Sequence, residues 1–246
     1  MSTTELAEKR EQISPRVLYL GNTGTFSLPP LEALLADGLT VCAVVIPAAS
    51  PVPPASSRNI PTLLPAPAPT ELQGCASLPM LSSSIHRTIV QLAWEQGIPV
   101  LEVSRLGNPE TLEMLASFHP DVICVACFPW RLPKVLLEMP SLGCINVHPS
   151  LLPAYRGPAP GYWMLRNGER IAGVTIHLMD ERLDTGDILL QAAFEIPAGM
   201  SAAALEQRSA VLGGPLLAQA VRALAAGTAI RIKQEESLAT YYSWPN

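Results

Sequence analysis

The stretch from Arg16 to Ile46 confines this chain to a narrow set of folds. RVLYLG reads as a short buried strand that ends at Gly21. PPLEALLAD (Pro29–Asp37) reads as a helix, with prolines in its first turn and Gly38 past its end. LTVCAVVI, rich in β-branched residues, is a second strand. Buried strand, helix, buried strand is the start of a parallel sheet with right-handed crossovers.

The same alternation continues along the chain. A helix near Ile85–Gln96, ended by Gly97, leads to the strand PVLEV, and the helix PETLEMLASF leads to the strand DVICVAC. A further apolar segment, GCINVH, follows Lys134–Met139. Past residue 170, AGVTIHLM and ILLQAAFEI alternate like strands with one solvated face, and an Ala- and Leu-rich helix, about Ala202–Ala226, closes the domain. The expectation is an α/β domain over 15–230 with a mostly parallel central sheet flanked by helices. A length of 246 residues, 48% of them hydrophobic, suits one such core. Residues 1–14 read as a polar N-terminal tail. Segment 47–82, with nine prolines between Pro47 and Pro79 and no periodicity, reads as a long loop. Residues 231–246 read as a short aromatic C-terminal tail that packs on its own domain or forms the contact of a homodimer.

Several classes of function lose their support at this level. Sixteen Lys plus Arg against 21 Asp plus Glu give a net charge of -5, and no basic cluster marks a phosphate-binding stripe, so nucleic acid is an unexpected partner. The longest apolar run, around Leu39–Ala49, is half of the roughly 20 residues a membrane span needs. The start, MSTTELAEKREQ, has no apolar signal core, and the chain reads as cytoplasmic. Cys124 and Cys127 form a CxxC, but on a strand residues three apart face opposite ways and cannot share a tetrahedral metal; the cysteines read as buried thiols. The turn GNTGTFS puts Thr23 where a dinucleotide fingerprint needs its second glycine, and neither GxxxxGK[ST] nor GxSxG is present. No metal site is expected.

The segment Gly143–Trp163, GCINVHPSLLPAYRGPAPGYW, is the unusual one. Asn146 and His148 are two apart at the end of a strand that Pro149 terminates, so both side chains leave one face at a carboxyl edge, where open α/β sheets bind ligands. An amide beside an imidazole can donate to one developing oxyanion, as acyl transfer requires; a satisfied polar pair at a strand end accounts for the spacing equally well. DERLDTGD (Asp180–Asp187) lies between two strands, and its residues suit a solvated turn. Spacing does not say whether one of its carboxylates meets the histidine.

NVHPSLLPAYRGPAP followed by LDTGDILL resembles the folate-dependent formyltransferase family, which includes methionyl-tRNA formyltransferase, glycinamide ribonucleotide transformylase and the amino-sugar formyltransferases. RVLYLGNTGTFSLPPLEALLADG and DVICVACFPWRLPKVLLEMPSLGCINVH fit the same pattern. The resemblance implies a Rossmann-like formyltransferase fold and a catalytic trio of Asn146, His148 and Asp184. It implies a folate site at Phe128, Pro129, Trp130, Arg131 and Leu132 together with Leu183, Thr185, Gly186 and Asp187, with 10-formyltetrahydrofolate as formyl donor and no metal. Arg156 and Gly157 fall in the loop after the pair; Arg156 either touches the acceptor or forms a structural salt bridge. His177 is given a packing role, and Trp130 is a pterin contact or a packing aromatic. The tRNA-modifying branch carries a further domain and a basic early loop. Here the chain stops shortly after Tyr241 and the loop holds only Arg58, so no tRNA-binding domain is expected and the implied acceptor is a small-molecule amine such as an amino sugar or amino acid. The alternatives are a methionyl-tRNA formyltransferase with a truncated C-terminus and a 10-formyltetrahydrofolate hydrolase.

Overall fold

The computed structural model describes residues 14–48, 61–66 and 87–245. Within them eight strands form one sheet: β1 (Arg16–Gly21), β2 (Thr40–Pro47), β3 (Thr62–Leu64), β4 (Val100–Val103), β5 (Val122–Ala126), β6 (Cys144–His148), β7 (Ile171–Leu178) and β8 (Ile188–Glu195). The helices are α1 (Leu28–Ala36), α2 (Ile89–Glu95), α3 (Pro109–Ser117), α4 (Lys134–Leu137), α5 (Pro160–Arg166) and α6 (Ala202–Ala225). The strand order is β3-β4-β2-β1-β5-β6-β7-β8. The central run β4-β2-β1-β5-β6 is parallel throughout, while β3, β7 and β8 add antiparallel pairings at the two edges.

Alternate residues of the parallel strands supply two separate cores, as a pleated strand covered on both faces must. On β1, Val17 and Tyr19 join the cluster under α1, α2 and α6, whereas Leu18 and Leu20 join the cluster under α3 and α4. The chain leaves β1 toward β2 on one side and returns to β5 on the other, so the sheet has its switch point between β1 and β5. Their carboxyl ends, with that of β6, open onto the site described below.

Four local features differ from the sequence reading. The proline-rich segment, mostly outside the described residues, contains β3. Three residues between Pro61 and Pro65 pair antiparallel with β4 at the sheet edge, where flanking prolines cost no ladder hydrogen bond. Helix α2 begins at Ile89, because Thr88 and Gln91 close a reciprocal capping box there; Ile85 lies outside the described residues. Strand β5 ends at Ala126, and Cys127, in the left-handed region at φ 57°, is exposed and accepts from Asn22 Nδ2 at 3.2 Å. Helix α5 was not legible as a helix; Pro160 in its first turn is the signal for it. Among the described residues, no helix is long and apolar enough to cross a membrane, and no group of three or more His, Cys, Asp or Glu is placed to hold a metal.

Candidate functional site

Strand β6 brings Asn146 and His148 to the sheet's carboxyl edge on one face, as the spacing of two requires. The antiparallel register with β7 sets His177 directly opposite Asn146 and Thr175 opposite His148. His177 is buried, and its Nδ1 lies 2.8 Å from the Leu178 carbonyl oxygen, which can only accept. Nδ1 therefore carries the hydrogen, and Nε2 accepts from Asn146 Nδ2 at 3.2 Å. Burial pulls the His177 imidazole down to about 4, so at neutral pH it is the uncharged acceptor this geometry needs. The packing role given to His177 is thus incomplete: the ring also orients the Asn146 amide.

His148 is buried at the end of β6, with Nε2 donating to the Tyr155 carbonyl oxygen at 2.9 Å. Its Nδ1 faces Asp184 Oδ1 at 3.7 Å, and the same oxygen lies 3.8 Å from His177 Nε2. Asp184 reaches this position by adopting φ 55° in the loop between β7 and β8, a region that Asp tolerates better than most residues. The carboxylate is buried, and its Oδ2 accepts the Gly157 backbone N–H at 2.8 Å. Asp180 instead closes the turn on itself, accepting from the Arg182 N–H and the Thr185 hydroxyl. Asn146, His148 and Asp184 thus share one wall of a cavity of about 530 Å³.

Phe128, Pro129, Trp130, Arg131, Leu132 and Leu183 line that cavity. Trp130 also stands edge-on to Phe128, with ring centroids 5.5 Å apart. Thr185, Gly186 and Asp187 do not line it, because after Asp184 the chain turns away to enter β8. The Thr185 hydroxyl is spent on Asp180, and the Asp187 carbonyl accepts from the Leu178 N–H at 2.9 Å. Gly186 is pressed under β7, where an added Cβ would lie 1.8 Å from the Leu178 oxygen.

Arg156 also departs from its role as an acceptor contact. The buried guanidinium points away from the cavity, with Nε and Nη2 donating to Gln234 Oε1 and Nη1 to Glu236 at 2.9 Å. Of its two sequence readings, the salt bridge is the one observed. Gly157 does line the cavity; the Tyr242 carbonyl would lie 2.0 Å from any Cβ there, so only glycine admits the C-terminal segment. That segment crosses the loop after His148. The Arg156 N–H donates to Thr240 O, Tyr242 N–H donates back to Arg156 O, and the Tyr242 ring stacks on Tyr155 and Trp163.

Sequence reasoning missed Gln234. While its Oε1 takes the Arg156 guanidinium, its Nε2 donates to the carbonyl oxygens of Asp184 (2.9 Å) and Gly186 (2.8 Å). One amide therefore ties the loop after His148 to the loop carrying Asp184. No local pattern around QEE signals this, since its partners lie about 50 and 78 residues away.

The fold and the site define a doubly wound α/β protein whose strand-end cavity brings together an amide, an imidazole and a carboxylate. The chain belongs to the formyl transferase family, whose model matches residues 73–221. It is 42% identical over 225 residues to a methionyl-tRNA formyltransferase from Syntrophus aciditrophicus, a match that covers 92% of this chain and 64% of that relative. The chain therefore spans somewhat less than two thirds of the length of that curated relative. The fold is shared with a phosphoribosylglycinamide formyltransferase from Anaplasma phagocytophilum (TM-score 0.64, 22% identity, 93% of this chain and 99% of that one). It is shared also with an N-formyltransferase from Helicobacter canadensis solved with folinic acid and dTDP-3-aminofucose (TM-score 0.58, 20% identity, 92% of this chain and 70% of that one).

Proposed function

We propose that the protein transfers the formyl group of 10-formyltetrahydrofolate to a primary amine, with Asn146, His148 and Asp184 as the reacting site. The observation that carries this reading is the meeting of those three side chains at one cavity wall in a chain of the formyl transferase family. Phe128, Pro129, Trp130, Leu132 and Leu183 offer the pterin apolar walls, with Arg131 beside them. The amine nitrogen attacks the formyl carbon, and the oxyanion that develops is met by the Asn146 amide, held in place by His177, and by His148 once its Nδ1 has taken the amine's proton, since its Nε2–H is held by the Tyr155 oxygen. Each such donor is worth about 10²–10³ in rate. As the carbon–N10 bond breaks, the proton lost by the amine passes to N10 by way of Asp184 and His148, which lie side by side.

Two observations bear on the acceptor, and they pull apart. The chain shares 34–42% identity with relatives named methionyl-tRNA formyltransferase, which favours the α-amine of methionyl-tRNA. The net charge of -5 and the carboxylates of Asp180, Glu181 and Glu206 on the cavity lining favour a smaller amine. Supplying 10-formyltetrahydrofolate with methionyl-tRNA or with a panel of amino sugars and amino acids separates them. A tRNA acceptor predicts a KM that rises steeply with salt, because bound phosphates release counterions, whereas a small acceptor predicts nearly salt-independent turnover. Consumption of the donor to formate with no acceptor present would place the protein with the hydrolases and contradict the transfer reading.

A further inference from the structure

The reaction just described uses none of three carboxylates on the cavity lining, and two of them are held elsewhere, Asp180 by the Thr185 hydroxyl and Glu181 by Lys134. Glu206, in the first turns of α6, lines the same cavity as Asn146, His148 and Asp184. It is half-buried, and among the described residues it makes no hydrogen bond or ion pair. Burial pushes its carboxyl upward, the mark of a charge held partly out of water without a counter-ion. Gly161, at the start of α5, leaves it room: a Cβ there would stand 3.3 Å from Glu206 Cγ and 3.5 Å from Oε1. The same short helix carries Trp163, whose Nε1 donates to the Ser243 carbonyl at 2.8 Å and fixes the C-terminal segment at the cavity. Tyr241 and Trp244, which flank that contact, line the cavity and are 61% and 69% exposed. A carboxylate lacking a partner, in a cavity that also offers exposed aromatic faces, has the composition of a receptor for an organic ammonium.

We propose that Glu206 is the receptor for the acceptor amine: it pairs with the ammonium form as it enters and takes the proton that must leave before the nitrogen can attack. The inference rests on the transfer reading above. In the step, R–NH3⁺ gives one proton to the Glu206 carboxylate, leaving R–NH2 and a neutral carboxylic acid. The nitrogen lone pair then forms the new C–N bond to the formyl carbon. Collapse of the intermediate breaks the bond to N10, which keeps the electron pair and takes the second proton from the attacking nitrogen. Glu206 returns its own proton to water, so no further reactant is needed. A carboxyl raised by burial is better matched to this exchange than one free in water.

The test is Glu206→Gln, which keeps the shape and removes the charge, with Glu206→Asp as the conservative variant. L-Methioninamide and glucosamine serve as ammonium probes in calorimetric titrations, with 5-formyltetrahydrofolate as the donor-side control. Whichever amine binds the wild-type protein is expected to bind Glu206→Gln at least tenfold more weakly, with Glu206→Asp in between and donor-analogue affinity unchanged. In turnover, kcat/KM for the amine is expected to fall at least tenfold while the KM for the donor holds. Equal amine affinity and equal kcat/KM in wild type and Glu206→Gln would overturn the assignment, as would a wild-type protein that takes up neither probe at millimolar concentration. A protein that binds amines through Glu206 yet moves no formyl group would overturn the transfer reading and leave the receptor standing.

Discussion

Replacing His177 by phenylalanine is expected to change how the whole fold responds to acid. Burial holds the imidazole at about 4, against 6.5 for an exposed histidine, and both ring nitrogens are committed, Nδ1 to the Leu178 oxygen and Nε2 to the Asn146 amide. The unfolded chain protonates His177 below about 6.5, while the folded chain resists until about 4. Stability linked to this residue is thus fully present above 6.5 and is lost as the pH falls toward 4. The whole displacement corresponds to about 3 kcal/mol, of which about 2 kcal/mol is lost between pH 7.5 and pH 5. Urea denaturation of wild type and His177→Phe at those two pH values measures it. The variant is expected to start about 1 kcal/mol less stable at pH 7.5, because the Asn146 amide loses its acceptor, and then to lose about 2 kcal/mol less than wild type on acidification. Its turnover is expected to fall about 10- to 100-fold, less than the 10²–10³ that removal of an oxyanion donor costs, since Asn146 is released rather than deleted. Identical acid sensitivity in the two proteins would refute the argument.

Three other substitutions probe the same site. Asp184→Asn is expected to keep 5-formyltetrahydrofolate binding, read by calorimetry, and to lower turnover at least ~100-fold, because a neutral amide cannot accept a proton. Gln234→Leu removes the donors to Asp184 and Gly186 and the acceptor of Arg156; a loss of about 2–3 kcal/mol in thermal denaturation and a lower kcat with little change in donor affinity are expected. Gly157→Ala places a Cβ against the Tyr242 carbonyl, so the C-terminal segment must lift; faster proteolysis after Thr240, with the Tyr242 stack on Trp163 lost from the near-ultraviolet circular dichroism, is the expected signature.

What could be read in the sequence follows from which interactions are local. The β1–α1–β2 unit was legible because buried strands and proline-started helices announce themselves within ten residues. The partnership of Asn146 with His148 was legible because a strand repeats every two residues. Asp184 was reached through family resemblance alone, since its approach to His148 depends on the antiparallel return of β7 and on a positive φ that spacing does not encode. The polar role of His177 needs the β6–β7 register, and that of Gln234 needs two loops and a tail to converge. Thr185, Gly186 and Asp187 were assigned to the folate site as part of a contiguous motif. The structure splits that motif at Asp184, ahead of which the chain faces the cavity and after which it builds β8.

The most direct test of formyl transfer through this site is mass spectrometry of reaction mixtures containing 10-formyltetrahydrofolate, methionyl-tRNA and a panel of small amines, with wild-type protein and Asn146→Ala in parallel. The account predicts that wild type adds one formyl group to one of these amines and that Asn146→Ala does so at least ~100-fold more slowly. No formylated amine from the wild-type protein, or equal rates in the two proteins, would contradict it.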